Sequence, residues 1–186
     1  CDATINGQTD EKRRDLLESA KAANMNMIRV WGGGRFESDR FYEICDELGI
    51  LVWQDCMMSC CPGFDDWYLN SIRRETEHQV KRLSDHPCIA LWCGDNEVMT
   101  GLGWYTDHRE FNYYEKAYSR VNDTLREVVE TYDPGRAFWP SSPCAGPGDM
   151  DNTDEIDCKG DMHFWGVWHG SKPFSAYFEK RPRFCS

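Results

Sequence analysis

Three observations predict an α/β protein built on a parallel sheet. Short apolar runs, Met27-Ile28-Arg29-Val30-Trp31, Ile50-Leu51-Val52-Trp53 and Ile89-Ala90-Leu91-Trp92, alternate with amphipathic helical stretches. The runs are nearly continuous in apolar residues rather than alternating, as strands covered on both faces require. Polar or aromatic residues recur where the runs end: Trp31, Gln54-Asp55, Asn96-Glu97 and His163 to Trp165. The pattern leaves two architectures, an open doubly wound sheet or a (β/α)8 barrel, in which strand ends share one mouth.

Each element has a local reason. Thr9 followed by Asp10 and Glu11 caps a first helix over residues 9–23, with Leu16, Leu17, Ala20 and Ala23 on its apolar face. The run from Met27 is stopped by Gly32-Gly33-Gly34. Ser38 and Asp39 open a second helix carrying Phe41, Tyr42, Cys45 and Leu48, and Gly49 supplies its left-handed terminus. After the loop Cys60-Cys61-Pro62-Gly63-Phe64, a long helix with Trp67, Leu69, Ile72, Val80 and Leu83 ends before Pro87. Beyond the run at Ile89 comes a polar loop. A helix over 111–132 then places Ala117, Val121, Leu125 and Val129 at four-residue spacing, closed by Asp133-Pro134-Gly135. Phe138-Trp139 and His163-Phe164-Trp165 read as further strands, separated by a Gly/Pro/Asp-rich stretch from Pro143 to Gly160.

Composition excludes several classes. Lys plus Arg is 21 against 32 Asp plus Glu, a net charge of −11, the wrong sign for neutralising phosphates, so neither nucleic acid nor an anionic membrane is an expected partner. No apolar run approaches the ~20 residues of a membrane span. Ten cysteines in 186 residues fall below a disulfide scaffold's share, and several sit in apolar runs, so free thiols are expected. Cys56, Cys60, Cys61 and Cys93 could ligate zinc or an iron–sulfur cluster, but C-x3-C-C is not paired C-x2-C spacing and His163 has no partner at i+3 to i+5. No metal is expected. The triple glycine lacks G-x-G-x-x-G spacing, which argues against a dinucleotide site. At 186 residues a complete barrel of ~250 does not fit. The start at Cys1-Asp2-Ala3-Thr4-Ile5 has no initiating methionine and no signal-peptide pattern. The expectation is one partial domain over 1–186, a piece of something longer.

Candidate chemistry concentrates in Trp92-Cys93-Gly94-Asp95-Asn96-Glu97. An apolar strand ending in carboxylates can set Glu97 at the rim of a low-dielectric cavity, as a general acid requires, although from composition alone Asp95 and Glu97 read more readily as caps of the following loop. Tryptophans near strand ends, Trp31, Trp104 and Trp165 above all, suit the apolar faces of sugar rings, although core packing accounts for most single tryptophans.

Several stretches together resemble a known family. Asn24-Met25-Asn26-Met27-Ile28-Arg29-Val30-Trp31-Gly32-Gly33-Gly34, the run from Phe41 to Asp55, Ala90 to Glu97, Gly160-Asp161-Met162-His163-Phe164-Trp165 and Arg183-Phe184-Cys185-Ser186 are similar, in order and spacing, to the catalytic barrel of β-mannosidases of glycoside hydrolase family 2. The resemblance covers nearly the whole chain. It implies a partial (β/α)8 TIM barrel holding about strands two to six. It further implies a retaining exo-β-mannosidase acting on terminal β-linked mannose of oligosaccharides, with Glu97 as general acid/base and no cofactor. Trp31, Asp55, Asn96, Trp104 and His163, with Trp165, would form the sugar subsite, and Asn96 would hold the 2-hydroxyl. The family's nucleophile is a glutamate in a pattern like Phe-Cys-Ser-Glu-Phe-Gly, which here would follow Ser186, so the 186 residues alone are expected to have no turnover. Another family 2 exo-glycosidase, of β-galactosidase or exo-glucosaminidase type, and a catalytically silent sugar-binding protein are the alternatives.

Overall fold

The computed structural model describes residues 7–60, 63–105, 107–148 and 159–184. Cys61 and Pro62, the centre of the Pro143 to Gly160 stretch, the first six residues and Cys185-Ser186 lie outside the described residues.

The element order is α1 (Asp10–Ala22), β1 (Met27–Val30), α2 (Asp39–Leu48), β2 (Leu51–Asp55), α3 (Asp66–Leu83), β3 (Ile89–Cys93), α4 (Val98–Tyr105), α5 (His108–Tyr132) and β4 (Ala137–Trp139), followed by a 3-10 segment, Phe174–Glu179. The four strands form one parallel sheet in the order β1-β2-β3-β4. Register sets Arg29 opposite Trp53, Gln54 opposite Trp92, and Cys93 opposite Trp139.

Helix ends follow the sequence signals. Thr9 Oγ1 accepts the Lys12 amide, Asp65 Oδ1 accepts the Tyr68 amide, and Gly49 ends α2 at φ 69°. Ser38 precedes α2 without capping it through its side chain. Strand alternation divides the sheet into two faces. Val30, Val52, Gln54 and Trp92 are buried on one, packed with Tyr42, Ile44 and Cys45 of α2, Val80 and Leu83 of α3, and Val128 and Val129 of α5. Arg29, Trp53 and Leu91 are half-buried on the other. A second apolar cluster joins Cys56 and Met58 after β2 to Ile72 of α3, Val98 and Leu102 of α4, and Tyr118, Val121 and Leu125 of α5.

Two expectations need correction. The polar loop after β3 contains α4, held by burial of Val98 and Leu102 and by Asp95 Oδ1 accepting the Val98 amide at 3.1 Å. His163 to Trp165 is not a strand, so the sheet has four described strands rather than about five. The chain returns instead through an isolated antiparallel bridge between Cys144 and Asp161, with the Asp161 amide donating to Cys144 O at 3.0 Å. No helix among the described residues is long and apolar enough to cross a membrane.

Candidate active site

Because the strands are parallel, their exit loops gather at one end, and pairing continues beyond the strands themselves. The Asn96 amide donates to Met58 O at 3.0 Å, Cys60 N to Asn96 O at 2.9 Å, and Glu97 N to Ser142 O at 2.8 Å. The turn carrying Asn96 and Glu97 is therefore clamped between the exits of β2 and β4. Asp95 anchors it from beneath. Wholly buried, it accepts Ser141 Oγ–H at 2.6 Å and the Tyr118 hydroxyl, and burial pushes its carboxyl up to about 6.

Glu97 has φ 58°, a left-handed conformation that costs a glutamate on the order of 1 kcal/mol and that only its surroundings can sustain. Its Oε1 accepts His163 Nδ1–H at 2.6 Å and Trp165 Nε1–H at 3.2 Å. Oε2 lies 4.0 Å from Cys60 Sγ. The His163 bond holds the Glu97 carboxyl below its ordinary range, with burial working against it and the Trp165 bond adding to it.

Arg29 ties the site together. Its Nη2 reaches Asp55 Oδ2 at 2.7 Å and Asn96 Oδ1 at 3.2 Å, and Nη1 lies 3.2 Å from His163 Nε2. Asp55 is wholly buried and also accepts Gly32 N–H at 2.9 Å and Trp53 Nε1–H at 2.9 Å. Burial pushes its carboxyl up and Arg29 opposes this. N–H donors on both oxygens match an ionised carboxylate, which accepts only. Asp55, expected from the resemblance to line a sugar subsite, here has both oxygens engaged by protein donors and holds Arg29.

Asn96, Glu97, His163 and Trp165 thus join one network. Trp31 and Trp104 are about half exposed, at 51% and 53%. Trp31 folds over Gly33, where a Cβ would stand 2.1 Å from its ring, whereas a Cβ at Gly32 would stand 2.3 Å from Met58 O, so Gly33 makes room for an aromatic side chain and Gly32 for the β2 exit. Trp165, 45% exposed, keeps part of its ring open beside His169, centroid to centroid 4.9 Å.

Sequence reasoning missed Arg29, Ser142 and Asp161. The signal for Arg29 was a cation inside an apolar strand, which needs a carboxylate on the same face of a neighbouring strand; Asp55 is that carboxylate. Ser142 and Asp161 are separated by the Gly/Pro/Asp-rich stretch, and nothing in their spacing marks them. Cys45, Cys56, Cys60, Cys88, Cys93 and Cys144 are free thiols. Asp46, His86 and Cys88 offer donor atoms within 4.8 Å of one another. They are hydrogen-bonded as they stand: Asp46 Oδ2 meets His86 Nδ1 at 2.6 Å, and its Oδ1 accepts the Cys88 amide at 2.8 Å.

Comparison with known proteins bears on this arrangement directly. The chain is 42% identical over 202 residues to β-mannosidase of Rattus norvegicus, covering 96% of this chain, and 40% identical over 182 residues to β-mannosidase B of Aspergillus fumigatus, covering 92%. The crystal structure of a β-D-mannosidase from Dictyoglomus thermophilum superposes with a TM-score of 0.80 at 44% identity over 96% of the chain. Over nearly all of its length the chain is therefore similar to one segment of β-mannosidases. It spans about a fifth of their length, 21% to 22%. No family model matches. A Bacteroides uniformis β-glucuronidase shares the fold at a TM-score of 0.63 and 22% identity over 70% of the chain. The resemblance read from the sequence is thus borne out for the family and for an α/β fold with a parallel sheet like that of a β-mannosidase.

Proposed function

We propose that the four strands are consecutive strands of a (β/α)8 barrel and that the segment carries the acid/base half of a retaining exo-β-mannosidase site. The observation that carries the reading is Glu97 itself. It sits at the open end of a parallel sheet, in a strained backbone conformation, with one carboxylate oxygen bonded by two N–H donors. Relatives named β-mannosidase at about 40% identity support the substrate class.

In this reading Glu97 protonates the glycosidic oxygen as its bond to the sugar breaks. It then removes a proton from the water that resolves the glycosyl-enzyme. The attacking carboxylate belongs to the longer protein, after Phe184-Cys185-Ser186. A second carboxylate ~5–5.5 Å away would raise the carboxyl of Glu97, which His163 and then Trp165 hold low, toward the range where an acid at neutral pH is protonated. Asn96, whose Oδ1 accepts from Arg29 while Nδ2 reaches Ser59 Oγ at 3.4 Å, is poised to hold the sugar's 2-hydroxyl. Trp31 and Trp104 supply ring faces for the sugar, and Trp165 adds its exposed portion. Asp55 fixes Arg29.

The test is a panel of aryl glycosides offered to the longer protein containing this segment, beside Glu97→Gln. Turnover confined to the β-mannoside and lost in the variant supports the reading. Preference for β-galactoside or β-glucosaminide would move the assignment within family 2. Mannose binding without turnover, unaffected by Glu97→Gln, would replace it with a sugar-binding role.

A further inference from the structure

The two oxygens of Glu97 stand in unequal surroundings. Oε1 meets His163 Nδ1 at 2.6 Å and Trp165 Nε1 at 3.2 Å, whereas Oε2 has Cys60 Sγ at 4.0 Å. The other ring nitrogen of His163 is also engaged inside the protein, 3.2 Å from Arg29 Nη1 and 2.9 Å from Ser142 Oγ. A guanidinium only donates, so Nε2 accepts from Arg29 and the ring hydrogen sits on Nδ1, aimed at Oε1. Arg29 cannot swing away without leaving Asp55 buried and unpaired. The Ser142 hydroxyl has one hydrogen and two acceptors in reach, His163 Nε2 and Asp161 Oδ2 at 2.5 Å. Asp161 is itself fixed by Trp139 Nε1–H at 2.7 Å and the Cys144 amide at 3.0 Å. No ring nitrogen of His163 is left for a sugar hydroxyl.

We propose that His163 is a positioning residue for Glu97 rather than a sugar ligand: with Trp165 it keeps Oε1 a permanent acceptor, so Oε2 is the oxygen that gives the proton to the leaving group and takes one back from water. The proposal rests on the reading of Glu97 as acid/base. In the first step Oε2–H breaks as the proton moves to the glycosidic oxygen, and the negative charge left on the carboxylate is met at Oε1 by two N–H donors. In the second step water gives its proton to Oε2 and its oxygen to the sugar carbon, while the bond from that carbon to the nucleophile carboxylate of the longer protein breaks and the carboxylate leaves with the electron pair. His163 gains and loses no proton in either step. The charged and titratable groups facing this pair are Arg29 from β1, Asp55 behind it on β2, Cys60 from the β2 exit, and Asp161 through Ser142.

The experiment compares His163→Leu and His163→Asn in the longer protein, the asparagine keeping an N–H donor near the Nδ1 position. Steady-state rates are taken against pH on 4-nitrophenyl and 2,4-dinitrophenyl β-mannosides, with mannose as competitive inhibitor. Loss of the N–H to Oε1 destabilises the carboxylate, so the basic limb of kcat/KM moves to higher pH, by about one unit in the leucine variant. The rate on the poorer leaving group falls about a hundredfold and that on the dinitrophenyl substrate, which needs little protonation, less than about tenfold. Mannose inhibition stays within about threefold, and asparagine restores most of the loss. Mannose inhibition weakening in step with kcat/KM, with equal loss on both substrates and an unmoved basic limb, would overturn the proposal and make His163 a sugar ligand. If the leucine variant does not fold, the asparagine variant decides alone. It supports the proposal by keeping the wild-type limb and mannose inhibition, and overturns it by weakening mannose inhibition at an unchanged limb. Absence of turnover in the unmodified protein would instead defeat the functional reading, a separate outcome.

Discussion

Arg29 and Asp55 form an ion pair across β1 and β2, Nη2 to Oδ2 2.7 Å, on the half-buried face of the sheet. The same guanidinium reaches Asn96 and lies against His163, so a pair made to satisfy a buried charge also orients the loop that carries Glu97.

Removing Arg29 leaves the Asp55 carboxylate wholly buried without its countercharge. Arg29→Met in the longer protein is expected to cost about 3–5 kcal/mol, read as a lowered thermal midpoint. The double variant Arg29→Met/Asp55→Leu, which removes both charges, recovers a large part of that loss. Equal losses in the single and double variants would show that the pair contributes nothing as a pair.

Asp95 predicts a pH dependence of stability. Its carboxyl is raised to about 6 by burial, so the protonated form suits the folded state. That contribution is fully present below the unfolded value of 3.8 and is lost as pH rises through about 6. Asp95→Asn removes the cost of the buried charge while retaining groups that can meet Tyr118, Ser141 and the Val98 amide. It is expected to stabilise the protein at pH 8 by on the order of 2 kcal/mol, shrinking toward nothing near pH 4. A gain independent of pH would contradict this origin.

Trp31 offers its ring beside Gly33. Trp31→Ala is expected to raise KM for a β-mannoside about tenfold with kcat within about threefold, the worth of one aromatic face of about 1.4 kcal/mol. Gly33→Ala should act in the same direction by displacing the ring. A fall in kcat at unchanged KM would remove Trp31 from the sugar subsite.

Much of the sheet was legible because buried parallel strands need apolar runs, and β1, β2 and β3 have them. Helix ends were legible where capping chemistry is local, as at Thr9 and Gly49. α4 was not, since Gly101 and Gly103 each disfavour a helix by about 1 kcal/mol. Burial of Val98 and Leu102 and the Asp95 cap offset this, and none of those is visible in spacing. A Cβ at Gly101 would stand 2.6 Å from Cys60 O, so this glycine serves close approach to the β2 exit. His163 to Trp165 looked like a strand because aromatic residues favour strands. The backbone there follows the Cys144–Asp161 bridge, and the His163 and Trp165 side chains meet Glu97. The carboxylate of the site could be found from its own strand, whereas its partners come from segments that only the fold brings together.

The most direct measurement is azide rescue of Glu97→Ala in the longer protein on 2,4-dinitrophenyl β-mannoside. Without its general base the variant should stall at the glycosyl-enzyme, and azide, which needs no base, should restore turnover and yield β-mannosyl azide with retained configuration. Turnover of Glu97→Ala equal to that of the unmodified protein, or a stalled variant that azide leaves unchanged, would contradict the assignment of Glu97 as the acid/base.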